Sequence, residues 1–212
     1  MPAYCTTDYP SDLRARRGEM VFVLHGLGGT RFMTAVLCRR LARQGFDVRN
    51  WAYPSWRNSL EAHAGRLRQE LSLARQQTAA PVHVVGRSMG AAVARCALVG
   101  MDLADWEGRF VMLGPPNHGS PVATFCSRIV GCPAAVQELS SRQGSFVRNL
   151  PAGPLPQTGI IAARLDYLIP LRNTRLEGVS EHVVVNTIHK TLPFNREVSR
   201  LAGRFLESGT FG

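Results

Sequence analysis

Short apolar runs alternate along this chain with longer stretches of helical periodicity. Met20–His25 is a continuous apolar run that ends in a glycine-rich turn, the pattern of a strand covered on both faces. Phe32–Gln44 repeats its apolar positions at helical spacing through Val36, Leu37 and Leu41. Phe46–Ala52 predicts a second strand. Leu60–Gln77 predicts a longer helix, with Leu60, Ala64, Leu67, Leu71 and Ala74 in one stripe. Strands follow at Val82–Gly86, Arg109–Leu113, Thr158–Ala163 and His182–Val185, with helices at Met89–Val99 and Phe194–Leu206. This alternation predicts a single doubly wound α/β domain over 19–212, a six-stranded, mostly parallel sheet with helices on both faces. If the strands lie in the order 2-1-3-4-5-6, the turns after the first and third are neighbours at the switch point.

Two segments break the pattern. Residues 1–18 are polar and read as an irregular arm. Residues 115–157 are rich in Pro, Gly and Ser, with short helices expected at Val122–Ile129 and Ala134–Leu139. So long a stretch without a strand is either a surface connection or a wall or small lid over a pocket.

Composition narrows the class. The length of 212 residues suits one domain with a sizeable core, and 45% apolar with 19% charged residues is a globular profile. No run of about 18 apolar residues predicts a membrane span. The net charge is +10, carried almost entirely by Arg, because Lys190 is the sole lysine. The arginines are scattered apart from short clusters at Arg14–Arg17 and Arg39–Arg40. That scatter argues against nucleic acid as the main partner and leaves weak contact with an anionic membrane surface or an acidic partner as the expectation. No partner protein is implied. The five cysteines form no C-x-x-C pair, so no metal site is expected. Cys38 and Cys96 read as core thiols, and the Cys126–Cys132 spacing would permit a local disulfide. With no apolar leader segment in the first 18 residues, the expected location is cytoplasmic; a secreted or periplasmic mature form supplied without its leader would read the same.

Gly86-Arg87-Ser88-Met89-Gly90 is a G-x-S-x-G pattern between a predicted strand and a predicted helix. A serine on so sharp a turn tolerates only small flanking residues, and it stands at a helix N-terminus whose N–H groups favour a developing oxyanion. Such a nucleophile needs a base, and the base an orienting acid. In a parallel sheet these lie beyond the carboxyl ends of strands. His83 falls inside a strand, His63 on a helix and His182 at the wrong end of the sheet, which leaves His189. Asp102, Asp105 and Glu107 also fall at the wrong end. Asp166, just past the fifth strand, is the favoured acid, with Glu138 and Glu177 in reserve; the alternative for Asp166 is a turn residue capping the next segment.

His25-Gly26-Leu27-Gly28-Gly29 follows the first strand. A dinucleotide fingerprint would need its third glycine where Arg31 stands, and no G-K-[ST] follows, so no nucleotide cofactor is implied. The turn reads as half of an oxyanion hole, with the N–H of Leu27 joining that of Met89.

These residues, with Gly114-Pro115-Pro116-Asn117-His118-Gly119-Ser120, give the chain a resemblance to the small α/β-hydrolases, the compact lipase and esterase branch. The resemblance spans residues 20–208. It implies a minimal α/β-hydrolase fold without a large cap, with Ser88, Asp166 and His189 as catalytic residues, Leu27 and Met89 as oxyanion donors, and no cofactor or metal. It implies hydrolysis of a small-molecule or lipid ester through an acyl-enzyme. Acyl transfer by the same residues and a non-catalytic binding module are the alternatives. Arg87 departs from the His or Tyr that many relatives carry beside the nucleophile, and would tune local charge or pair with a buried carboxylate. Phe32, Trp51, Tyr53, Trp56 and Phe125, with Leu27 and Met33, are the apolar residues expected at a substrate pocket.

Overall fold

The computed structural model describes residues 5–9, 18–129 and 131–212. Strands β1 (Cys5–Tyr9), β2 (Met20–Leu24), β3 (Asp47–Ala52), β4 (Val82–Arg87), β5 (Phe110–Leu113), β6 (Thr158–Ala163) and β7 (His182–Val185) form one sheet. Their order is β1-β3-β2-β4-β5-β6-β7. β2 to β7 are parallel, the six strands and the order that the alternation predicts.

β1 pairs antiparallel with β3 and corrects the reading of residues 1–18 as an irregular arm. Five mostly polar residues carry no hydrophobic pattern of their own; they pair as a strand along the edge of β3, which offers unpaired N–H and C=O groups. Residues 1–4 and 10–17, with the Arg14–Arg17 cluster, lie outside the described residues.

The helices are α1 (Arg31–Arg43), α2 (Leu60–Gln77), α3 (Met89–Val99), α4 (Pro121–Cys126), α5 (Ala134–Glu138), α6 (Phe146–Asn149), α7 (Leu171–Thr174) and α8 (Arg196–Ser208). Side-chain parity in β2 explains the layering. Met20, Phe22 and Leu24 pack with Leu60, Leu67 and Leu71 of α2 and with the small residues of α3. Val21 and Val23 point the other way, onto Leu37 and Leu41 of α1 and Phe205 and Leu206 of α8. Period-two alternation thus fills two cores, one on each face of the sheet. The last helix begins two residues later than expected, because a 3-10 helix, His189–Phe194, precedes it.

Residues 115–157 are tied to the body by buried polar contacts. Arg95 of α3 is 2% exposed and donates to the carbonyls of Leu150 and Pro151 and to Asn117 Oδ1. Burial lowers its pKa to about 10. Glu138 Oε2 accepts the N–H of Leu60 at 2.8 Å, and Ser120 Oγ donates to the Leu168 carbonyl at 2.8 Å. Cys38, Cys96, Cys126 and Cys132 are all free thiols. Among the described residues no helix is long and apolar enough to cross a membrane.

Candidate active site

The sheet order brings two turns together. β2 lies between β3 and β4, and Leu24 at its end is level with Gly86 of β4. The His25–Gly29 turn and the β4–α3 turn therefore emerge side by side at the carboxyl edge.

The β4–α3 turn is sharp enough to force an unusual backbone. Ser88 has φ 52° and ψ −122°, and it is the one non-glycine residue with positive φ among the described residues. A residue other than glycine held there stores strain, which persists only where the surroundings enforce it. They do so by contact. A Cβ on Gly86 would lie 2.5 Å from Ala91 Cα, and one on Gly90 would lie 2.4 Å from the His25 carbonyl. Both positions need glycine for close approach. Ser88 N–H donates to the Leu113 carbonyl at 2.8 Å, which fixes the turn to β5. Met89 opens α3, so its N–H has no acceptor within the helix.

Asp166 follows β6, and His189 opens the 3-10 helix beyond β7. His189 Nδ1 lies 2.6 Å from Asp166 Oδ2, with side-chain exposures of 3% and 1%. The carboxylate sets the tautomer: Nδ1 carries the proton and Nε2 keeps its lone pair. Asp166 Oδ1 accepts the N–H groups of Leu168 and Ile169. Asp166 is therefore both a turn-capping residue and the partner of His189.

Ser88 and His189 open onto one cavity of about 710 Å³. Its walls are apolar: Leu27, Met33 and Trp56 on one side, and Val122, Val136 and Leu139 from the 115–157 segment on the other. Arg87 and Lys190 line it too, and among the described residues no carboxylate does.

Of the aromatic residues expected at a pocket, Trp56 lines this cavity. Trp51 and Tyr53 correct that expectation: they are fully or almost fully buried in the α2–α3 core. Tyr53 supports the His25 turn. Its hydroxyl donates to the His25 carbonyl at 2.7 Å, and its ring stacks on the His25 ring at 4.5 Å. Burial lowers the pKa of His25 and raises that of Tyr53, so both stay neutral. Phe32 and Phe125 are 74% and 69% exposed and do not line the cavity. The two reserve acids lie elsewhere, Glu138 on the Leu60 amide and Glu177 beside a separate groove at the other end of the sheet. Sequence reasoning missed Val122, Ala123, Val136, Leu139 and Lys190 as lining residues; only the composition of 115–157 hinted at a wall.

A parallel doubly wound sheet of this order, with a serine on the turn after β4 and a buried Asp–His pair past the last strands, is the α/β-hydrolase fold. No protein-family model matches the sequence, and no curated protein sequence matches it. Solved structures do. Aspergillus fumigatus lipase B is 15% identical with a TM-score of 0.75, over 94% of this chain and 56% of that one. The Bacillus licheniformis lipase BlEst2 in its mature form is 16% identical with a TM-score of 0.71, over 98% of each chain. A thermophilic esterase from Thermogutta terrifontis is 15% identical with a TM-score of 0.68, over 97% of this chain and 93% of that one. At such identities the likeness establishes the fold.

Proposed function

We propose that this protein is a serine hydrolase of carboxylic esters, of the esterase and lipase kind. The observation that carries the reading is that His189, paired with buried Asp166, opens together with a strained Ser88 onto one apolar cavity. In this reading His189 Nε2 takes the Ser88 proton as Oγ attacks the ester carbonyl. Asp166 holds the imidazole and stabilises the imidazolium. The N–H groups of Leu27 and Met89 receive the oxyanion. The alcohol leaves with the proton from His189, and water then cleaves the acyl-enzyme by the same steps. No cofactor takes part in this sequence.

The substrate is a small-molecule or lipid ester whose acyl part lies between Met33, Trp56 and Val136. Residues 19–212 act as the catalytic domain, with 115–157 as the wall of its pocket. Exposed Phe125, Arg128 and Ile129 of this segment, with Lys190 lining the cavity, suit weak contact with an anionic membrane surface. The four free thiols suit a reducing compartment, the cytoplasm. Hydrolysis of p-nitrophenyl esters from acetate to palmitate tests the reading: turnover of part of the series, abolished in Ser88→Ala, supports it. Equal turnover by Ser88→Ala would overturn it.

A further inference from the structure

We infer that Arg87 is a positioning residue for the proposed reaction, its guanidinium fixing the main chain of the His189 turn against the elbow that carries Ser88. The inference rests on reading Ser88, His189 and Asp166 as the reacting set.

Arg87 is the last residue of β4 and only 6% exposed. Its Nη2 donates to the main-chain carbonyl of His189 at 3.4 Å, a contact between residues 102 positions apart. Its Nη1 lies 3.0 Å from where a Cβ on Gly26 would stand, so the guanidinium also packs under the turn that carries Leu27. Nε is buried without a hydrogen-bond partner. One side chain thus touches all three segments of the site: the elbow, the Gly26 turn and the turn of the base.

A buried guanidinium is a poor choice if packing is the only task. Desolvating the charge is costly, and apolar side chains of similar volume often replace buried charges without loss of stability. Desolvation lowers the pKa of Arg87, and the charge of Asp166 opposes that. The guanidinium gives what an apolar chain lacks, a donor held in fixed geometry on a rigid strand. His189 opens a 3-10 helix, and the carbonyl that Arg87 holds belongs to the same residue as the ring. A displacement of about 1 Å at such a group costs on the order of a hundredfold in rate.

The test uses Arg87→Lys, which keeps the charge, Arg87→Gln, which keeps a donor, and Arg87→Met, which keeps neither. Each is measured for kcat and KM per titrated site, for the rate of Ser88 modification by a fluorophosphonate, and for Tm. The expected result is a kcat lowered about tenfold in Lys and Gln and about a hundredfold in Met. KM stays within about threefold, and phosphonylation slows in parallel. A residue that only packs would lower Tm and leave the rate per titrated site intact, and that result overturns the inference. Should the Met variant fail to fold, wild-type kcat in both Lys and Gln overturns it equally. Absence of Ser88 labelling in the wild type would instead bring down the reading of the triad, and this inference with it.

Discussion

Asp166 meets His189 with only one of its two carboxylate oxygens. Oδ2 lies 2.6 Å from Nδ1, while Oδ1 is held by the amides of Leu168 at 3.0 Å and Ile169 at 2.8 Å. The turn that shapes the loop also aims the acid. Asp166→Asn keeps an oxygen for both amides and turns an N–H donor toward Nδ1, which favours the wrong tautomer. Its kcat should fall about 10⁴-fold, with Tm near that of the wild type. Asp166→Ala loses the amide contacts as well and should also lose about 1–2 kcal/mol of stability. Steady-state kinetics and thermal melts on the two variants separate the effects; full turnover in the Asn variant would remove Asp166 from the mechanism.

Tyr53 supports the proposed oxyanion turn from below, through its hydroxyl on the His25 carbonyl. Tyr53→Phe leaves that buried carbonyl unpaired. Unfolding in urea should show a loss of about 1–2 kcal/mol. If the turn positions the Leu27 N–H, kcat falls with KM unchanged.

Arg95 ties residues 115–157 to α3 through three acceptors. Arg95→Met strands the carbonyls of Leu150 and Pro151 and should cost about 2–4 kcal/mol. The wall it releases lines the cavity, so KM for long-chain esters should rise more than KM for acetate. An unchanged ratio of the two would show that the wall does not touch the acyl chain.

Val136 narrows the same cavity from α5. Val136→Phe should lower kcat/KM for palmitate about tenfold or more and spare the acetate ester. A uniform loss across the series would place the acyl chain elsewhere.

Acid should destabilise the fold through its buried histidines. Burial depresses the pKa of His63 to about 4 and also lowers those of buried His25 and His83 and of half-buried His182. In the unfolded chain a histidine titrates at about 6.5. Between those values the unfolded state binds more protons than the folded one, so stability is full above about 6.5 and falls as pH drops toward 4. His63 is fully buried, and His63→Leu should flatten the slope over this window in urea unfolding measured at several pH values. An unaltered slope would assign the loss to the other three.

Much of this site is legible along the chain because its determinants are local. Gly86, Ser88 and Gly90 sit within five residues of each other, and the strand before them and the helix after them are written in their own periodicity. Asp166 and His189 follow from a rule about strand ends. Trp51 and Tyr53 escape that rule. They stand at the carboxyl end of β3, but both faces of this sheet are covered, so an aromatic there is buried instead of facing a pocket. The β1 strand and the anchors at Arg95 and Glu138 are equally silent in sequence. Each depends on a partner far along the chain: Asn50 lies 43 positions from Thr7 of β1, Leu150 55 from Arg95 and Leu60 78 from Glu138.

The most direct test of the whole account is fluorophosphonate labelling followed by peptide mass spectrometry. One adduct on Ser88 is predicted, lost in Ser88→Ala and slowed on the order of 10³-fold or more in His189→Ala. Hydrolysis of p-nitrophenyl esters should disappear as the adduct accumulates. Ester hydrolysis that persists with Ser88 fully modified, or an adduct on another residue that abolishes it, would contradict the account.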